Sequence, residues 1–380
     1  MNELSEQVSV SIICTTYNQE EYISRALNSL VTQKTNFKYE IIVHDDCSTD
    51  QTSAIVRSFE EKYQGLIRAV YQKENQYSKG IDVCMKICVP MARGKYIAIC
   101  EGDDYWTDEN KIQLQYETLE AHLESDMCAC GAVSVKAKDE KIIQNIEPKT
   151  EDAVLSIQEV ILGGGRYLAT ASLFFRKELF LESMSFEKVI TFDYTMQIKG
   201  ALRGGIIYLN KNMAAYRVFA DNSWSQRVEH NVEKRNRHIK KEISMLKELD
   251  KELQYIYHDI IEERLKAYTP FIKQLKSHKN EIFEEIKDKK GKMYIWGLGT
   301  RGEACQEFFL DSKIDVFGAC DIKNDCVGEC TAYGIKIYHT DYVFYKADII
   351  IATNIHAYTS IVERGYLGTV INLQKYMPLS

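Results

Sequence analysis

The chain has 380 residues, 48 of them Lys or Arg and 55 Asp or Glu, for a formal net charge of −7. That length admits two domains with sizeable cores, and the acidic balance offers no overall attraction to nucleic acid, which is set aside as a partner. Eleven cysteines, odd in number and mostly inside apolar runs (Cys14, Cys100, Cys320), read as reduced thiols of a cytoplasmic protein rather than a disulfide framework. The close pairs Cys84/Cys88, Cys128/Cys130 and Cys326/Cys330 lack the second ligand pair of a zinc site. No apolar run approaches the roughly 20 residues of a membrane span, so any anchoring is peripheral.

In chain order, Val8 to Cys14 is predicted as a buried strand, and Glu20 to Gln33 as a helix with Tyr22, Ile23, Ala26, Leu27, Leu30 and Val31 on one face. Tyr39 to His44 is the next strand, and a helix carrying Ile55, Val56 and Phe59 follows it, with Ser48 to Asp50 placed to cap its free N–H groups. Ile67 to Tyr71 and Tyr96 to Cys100 add two strands, so the alternation predicts an α/β fold with a mostly parallel sheet covered on both faces. Asp45/Asp46 and Asp103/Asp104 then stand at carboxyl ends of strands, where open α/β sheets bind ligands. Adjacent carboxylates resist joint ionisation unless a cation or strong donors hold them, so Asp103/Asp104 points to a divalent metal carrying a phosphorylated ligand. The alternative is a turn capping the helix that starts near Asn110.

Four stretches carry a resemblance in order and spacing: Thr15-Thr16-Tyr17-Asn18; His44-Asp45-Asp46-Cys47-Ser48-Thr49-Asp50; Glu74-Asn75-Gln76-Tyr77-Ser78-Lys79-Gly80; and Glu101-Gly102-Asp103-Asp104-Tyr105-Trp106. Together they resemble family-two glycosyltransferases of the GT-A fold, in particular bacterial members of capsule or surface-polysaccharide synthesis. The likeness runs on through Arg166 to Arg176, Phe192-Asp193-Tyr194, Ala215-Tyr216-Arg217 and Asn222-Ser223-Trp224-Ser225, covering roughly residues 8–225. Cys47 stands where many members have glycine.

The resemblance implies donor binding by Thr15, Tyr17 and Asp46, with Tyr17 stacking on the base and Asp46 accepting from a ring N–H. Asp103 would meet the ribose or a water on the metal, and Asp104 would ligate Mg2+ or Mn2+ on the diphosphate. Asp193 would be the general base for the acceptor hydroxyl, giving inversion; an N-cap is its bland alternative. Trp106 offers a face for stacking on a sugar, against buried packing. Arg217 and Trp224 are acceptor-side candidates in a segment that covers the nucleotide in related enzymes. Lys79 either meets phosphate or is solvated. Gly163-Gly164-Gly165-Arg166 is either a mobile loop before a strand Thr170 to Phe175 or an ordinary turn.

From Gln226 to Lys290 the composition turns to Glu, Lys, Leu and Ile, predicting a helical linker. Its basic run Lys234 to Lys241 is either a contact for anionic lipid or a solvated face. Lys292 onward starts again as strand, glycine turn and helix. Gly297, Gly299 and Gly302 permit close approach to a phosphate, and Asp321 ends the next strand at the distance of a ribose-binding carboxylate. Further strands are predicted at Asp348 to Ala352 and Thr369 to Leu373.

The predicted organisation is a GT-A transferase domain over 1–225, a helical linker over 226–290 and a small Rossmann-like domain over 291–380, which either binds a nucleotide, serves structure or oligomerisation, or holds a second activity. The expected function is metal-dependent, inverting transfer of a sugar from a nucleotide-diphospho-sugar, with uridine diphosphate as carrier, to a surface polysaccharide or lipid-linked glycan. The rivals are a non-catalytic nucleotide-sugar-binding protein and an NAD-dependent oxidoreductase or epimerase seated in the C-terminal domain. Homo-oligomerisation and peripheral contact at the inner face of the plasma membrane stay open.

Overall fold

The computed structural model describes residues 7–190, 193–218, 220, 232–321 and 327–376. The chain divides into two compact units, Met1–Ile261 and Glu262–Ser380. The first is built on strands β1 (Val8–Thr16), β2 (Lys38–Asp45), β3 (Ile67–Tyr71), β4 (Tyr96–Ile99), β5 (Tyr105–Trp106), β6 (Met127–Lys136), β7 (Ile142–Ile146), β8 (Ala153–Leu155), β9 (Phe174–Arg176) and β10 (Ile206–Val218). They lie in the order β3-β2-β1-β4-β9-β6-β10-β5, with β7 beside β6 and β8 beside β10.

β1 runs through the middle of the parallel part because Val10, Ile12, Ile13 and Cys14 are fully buried, which requires cover on both faces. Ile23, Ala26, Leu27 and Leu30, at helical spacing in the helix Ile23–Val31, join the core that covers it. Pairing is parallel from β3 through β2 and β1 to β4, as predicted. Beyond β4 the prediction of a mostly parallel sheet needs correction. β9 is antiparallel to both β4 and β6, and β5 is antiparallel to β10, with only β10 and β6 parallel. Apolar runs report burial and not strand direction, so they could not separate these cases.

The mixed half positions the site. β4 ends at Ile99 and β5 begins at Tyr105, yet three strands lie between them in the sheet. In a flat sheet they would stand about 19 Å apart. Residues 100–104 are not extended, since the Asp104 N–H donates to the Glu101 carbonyl, so the sheet curls. The acidic loop therefore sits where the β5 edge of the sheet turns back toward the end of β4.

The stretch predicted as a linker is shared between the units. In the helix Val232–Glu252, Glu252 accepts from the backbone N–H groups of Ser185 and Phe186 in the first unit (3.0 and 3.2 Å). Leu275, Ile282 and Ile286, from the helices Phe271–Ser277 and Lys279–Ile286, belong to a core of the second. That second unit holds a four-stranded parallel sheet, β11 (Met293–Trp296), β12 (Gly318–Cys320), β13 (Ile349–Ala352) and β14 (Thr369–Asn372), in the order β12-β11-β13-β14. Met293 and Ile295 face one core, Tyr294 and Trp296 the other, the alternation of a strand covered on both sides.

The ten described cysteines are free thiols, seven of them buried; Cys326 lies outside the described residues. Burial pushes the Cys88 thiol up to about 12, too high to supply thiolate near neutrality. No helix among the described residues is long and apolar enough to cross a membrane.

Candidate active site

The loop after β4 is stitched to the end of β1: the Cys100 N–H donates to the Ile13 carbonyl (3.0 Å) and the Gly102 N–H to that of Thr15 (2.9 Å). A Cβ on Gly102 would lie 2.5 Å from Gln19 Oε1 and 2.7 Å from Thr16 Oγ1, so this approach requires glycine. It delivers Asp103 and Asp104, 7% and 1% exposed, to the curl. Asp104 Oδ1 accepts from the backbone N–H of Arg217 near the end of β10 (2.8 Å). Its Oδ2 is buried and has no hydrogen-bond partner.

Arg217, 2% exposed, is the clamp behind this loop. Its guanidinium donates to the Asp103 carbonyl and pairs with Glu140 at the tip of the β6–β7 hairpin, over the rings of Tyr22 (5.0 Å) and Tyr105 (4.9 Å). Glu140 also binds Arg25 Nη1 (2.6 Å). Arg217 thus braces the acidic loop from behind, a different place from the acceptor side expected for it. The reason is the alternation along β10, which turns this side chain into the interior.

Burial, and next the charge of Asp103, push the Asp104 carboxyl well above the usual carboxylate range, against the pull of Arg217. Glu101, half-buried, is raised by burial and then by Asp193, Asp103, Asp104 and Asp82 in turn. Among the described residues no three His, Cys, Asp or Glu side chains form a ready-made metal cluster. The site nevertheless fits a hard divalent cation. An unpartnered buried carboxylate oxygen among crowded acids is what such an ion neutralises, and Mg2+ takes its remaining ligands from phosphate and water.

At the neighbouring strand ends, the Asp46 N–H donates to the Thr16 carbonyl (3.0 Å). Its carboxylate accepts from the backbone N–H groups of Gln76 (2.8 Å) and Tyr77 (3.0 Å), pinning the turn after β3. Thr15 and Tyr17 are half-buried beside it on the same edge. Asp45 is a turn residue, its carboxylate held by the Ser48 N–H (3.1 Å) and the Ser53 hydroxyl. Asp50 accepts from the Thr52 N–H (2.9 Å) at the start of the helix Thr52–Lys62, the cap expected of this stretch. Lys79 pairs with Glu74 at the surface. Cys47 has φ 68°, the left-handed region, which explains why glycine suits this position. Cys47→Gly is expected to stabilise the protein by about 0.5–1 kcal/mol, the relief of strain less the added chain entropy; a lower melting temperature would mean that the thiol's packing outweighs the strain.

Asp193 opens the helix Asp193–Ala201, and its Oδ2 accepts the hydroxyl of Thr170. Its charge bears on Glu101 and Asp104, so the candidate base and the acidic loop share one electrostatic site. Residues 170–172 form a 3-10 turn, and the strand predicted from Thr170 begins only at Phe174. Two buried donors fold the segment into that turn: Trp106 Nε1 gives to the Ala171 carbonyl (2.9 Å) and Gln115 Nε2 to that of Ser172 (2.8 Å). Trp106, 4% exposed and packed in the core, is accordingly not presented for sugar stacking. Gly163 closes the helix Ile157–Gly163 and Gly164 leaves it at φ 71°, so the triple glycine is a helix-ending turn. Trp224 lies outside the described residues, as do Phe192, Asn222 and Ser223.

Sequence reasoning assigned no role to Glu101, Asp82, Glu140 or Thr170. Glu101 was within reach, being part of the acidic motif itself, whereas the others act through partners distant in sequence. In the second unit, Gly297 has φ 113°, and a Cβ on Gly302 would fall 1.8 Å from the Gly297 carbonyl oxygen, so both glycines are required by the turn. Gly299 precedes the helix Thr300–Asp311 in open space. Asp321 Oδ2 accepts from the Leu298 N–H (2.8 Å), which makes this carboxylate a brace of the turn.

Residues 11–183 match the sequence model of Glycosyl transferase family 2. The chain is 33% identical over 215 residues to an uncharacterized protein of Mycobacterium tuberculosis, an alignment that covers 57% of this chain and 60% of that protein's length. It is 38% identical over 102 residues to the poly(ribitol-phosphate) beta-N-acetylglucosaminyltransferase TarS of Staphylococcus aureus, covering 26% of this chain and 17% of TarS. The chain thus spans about 60% of the mycobacterial relative's length. Among solved structures it is similar to the mannosyltransferase PcManGT from Pyrobaculum calidifontis in complex with GDP-Man and Mn2+, with a TM-score of 0.48 and 15% identity over 81% of each chain. Residues 11–183, which hold the strand-end site on the mixed sheet of an α/β fold, thus match the Glycosyl transferase family 2 model.

Proposed function

We propose that the chain transfers a sugar from a nucleotide-diphospho-sugar, with uridine diphosphate as carrier, to a hydroxyl of a cell-surface polysaccharide or lipid-linked glycan, with inversion at the anomeric carbon. The observation that carries this reading is the meeting of Asp104, with its unpartnered buried oxygen, and Asp193, with one oxygen already fixed by Thr170, in one acidic site. A sensor of nucleotide sugars needs the first but has no use for a proton acceptor. The name of TarS, a transferase acting on a ribitol-phosphate polymer, supports a polymeric acceptor.

In this mechanism Thr15, Tyr17 and Asp46 hold the base and Asp103 the ribose. Asp104 would hold Mg2+ or Mn2+, which when bound supplies Lewis-acid stabilisation of the departing diphosphate. Asp193 accepts the proton of the acceptor hydroxyl as that oxygen attacks the anomeric carbon opposite the leaving group. The carboxylate that Thr170 orients is the group that receives the proton. A single displacement leaves the product with the anomeric configuration opposite to the donor's. Proton NMR of the product from whichever donor is turned over reads this directly, and retained configuration would rule the mechanism out.

A further inference from the structure

We propose that Thr170 is a positioning residue that sets the carboxylate of Asp193, and that Trp106 and Gln115 hold the turn that carries it. The inference rests on the reading of Asp193 as the base. Thr170 is 6% exposed and has a single hydroxyl proton, given to Asp193 Oδ2. An aspartate opening a helix has several staggered rotamers open to it. One oxygen fixed by Thr170 selects among them and sets the direction in which the carboxylate meets a substrate hydroxyl.

The turn is in turn fixed from the side of the acidic loop. Trp106, two residues after Asp104, takes the Ala171 carbonyl, and Gln115 takes that of Ser172. Gln115 Oε1 accepts from Lys111 Nζ (2.7 Å), and that ammonium lies 4.2 Å from the Trp106 ring. Lys111, Gln115 and Ser172 are fully buried. Burying a lysine and a glutamine merely to shape a turn is costly when apolar side chains would fill the same space. A network that runs from the acidic loop to Thr170 and ends on Asp193 sets the base relative to the metal-side carboxylates.

The test follows the carboxyl carbon of Asp193 by NMR titration of protein labelled with 13C-aspartate, assigned by the signal that Asp193→Asn removes. A hydroxyl donor favours the charged form, so Thr170→Val is expected to raise the Asp193 midpoint by about one pH unit, and Thr170→Ser to restore it. Trp106→Phe, which keeps a ring but loses the N–H, is expected to move it the same way by less. Thr170→Ala serves if the valine variant does not fold. An unmoved midpoint in the folded valine or alanine variant overturns the proposal. With whichever nucleotide sugar the protein turns over, Thr170→Val is expected to lower kcat about tenfold with donor KM unchanged. If Asp193→Asn keeps wild-type turnover while Thr170→Val still shifts the midpoint, the base reading fails and the positioning stands; if Asp193→Asn is inactive and Thr170→Val changes neither midpoint nor kcat, the positioning alone fails.

Discussion

Asp193→Asn is expected to lower turnover by about 10²–10⁴-fold while nucleoside diphosphate affinity stays at the wild-type value. The amide is nearly isosteric and can still meet the Thr170 hydroxyl, so the shape of the site survives, but no carboxylate is left to take a proton. Burial holds the Asp193 carboxyl above its usual range, against the Thr170 hydroxyl and with the charge of Asp82. A base acts only when deprotonated, so the wild-type rate is expected to fall as pH drops through this raised value, above the ordinary aspartate value of about 3.9. Turnover across pH, measured by nucleotide release, checks both statements. A variant with wild-type turnover would remove Asp193 from the chemistry.

Arg217→Ala is expected to destabilise the first unit by about 3 kcal/mol, the cost of removing a buried guanidinium from a half-buried partner and a buried carbonyl. Glu140 keeps only Arg25, the Asp103 carbonyl loses its donor, and the Asp104 carboxylate loses its nearest buried cation. The melting transition of that unit should drop by about 10 °C, read by calorimetry of the full chain. Arg217→Lys should recover only part of this, because one ammonium cannot reproduce the two-sided fork. A drop of a degree or less would mean that the loop is held by its backbone bonds alone.

The strand ends that carry Asp46 and Asp103/Asp104 were legible in the sequence because each follows a buried apolar run, Ile41 to Val43 in β2 and Tyr96 to Ile99 in β4, beside Ile12 to Cys14 in β1. The polar residues that interrupt them mark where the chain leaves the sheet. The acid at 193 was singled out by the resemblance, and it opens a helix with its carboxylate on Thr170. Thr170 was not, since Thr170 to Phe175 has the composition of a strand, and what bends it is a pair of donors about 60 residues earlier in the chain, Trp106 and Gln115. Trp106 and Arg217 are both buried, and the pairing of β5 with β10 that goes with this is not visible in the sequence. The helical stretch 226–290 has one composition throughout, so nothing in it marks how it is shared between the units.

The measurement that tests the central claim most directly is calorimetric titration of UDP, GDP and NAD+ into the full chain and into its Asp104→Asn variant, with and without Mn2+. Binding of UDP or GDP that needs the metal and is lost in the variant is the predicted result. Binding of NAD+ alone, without metal and unchanged in the variant, would contradict it and direct attention to the glycine turn of the second unit.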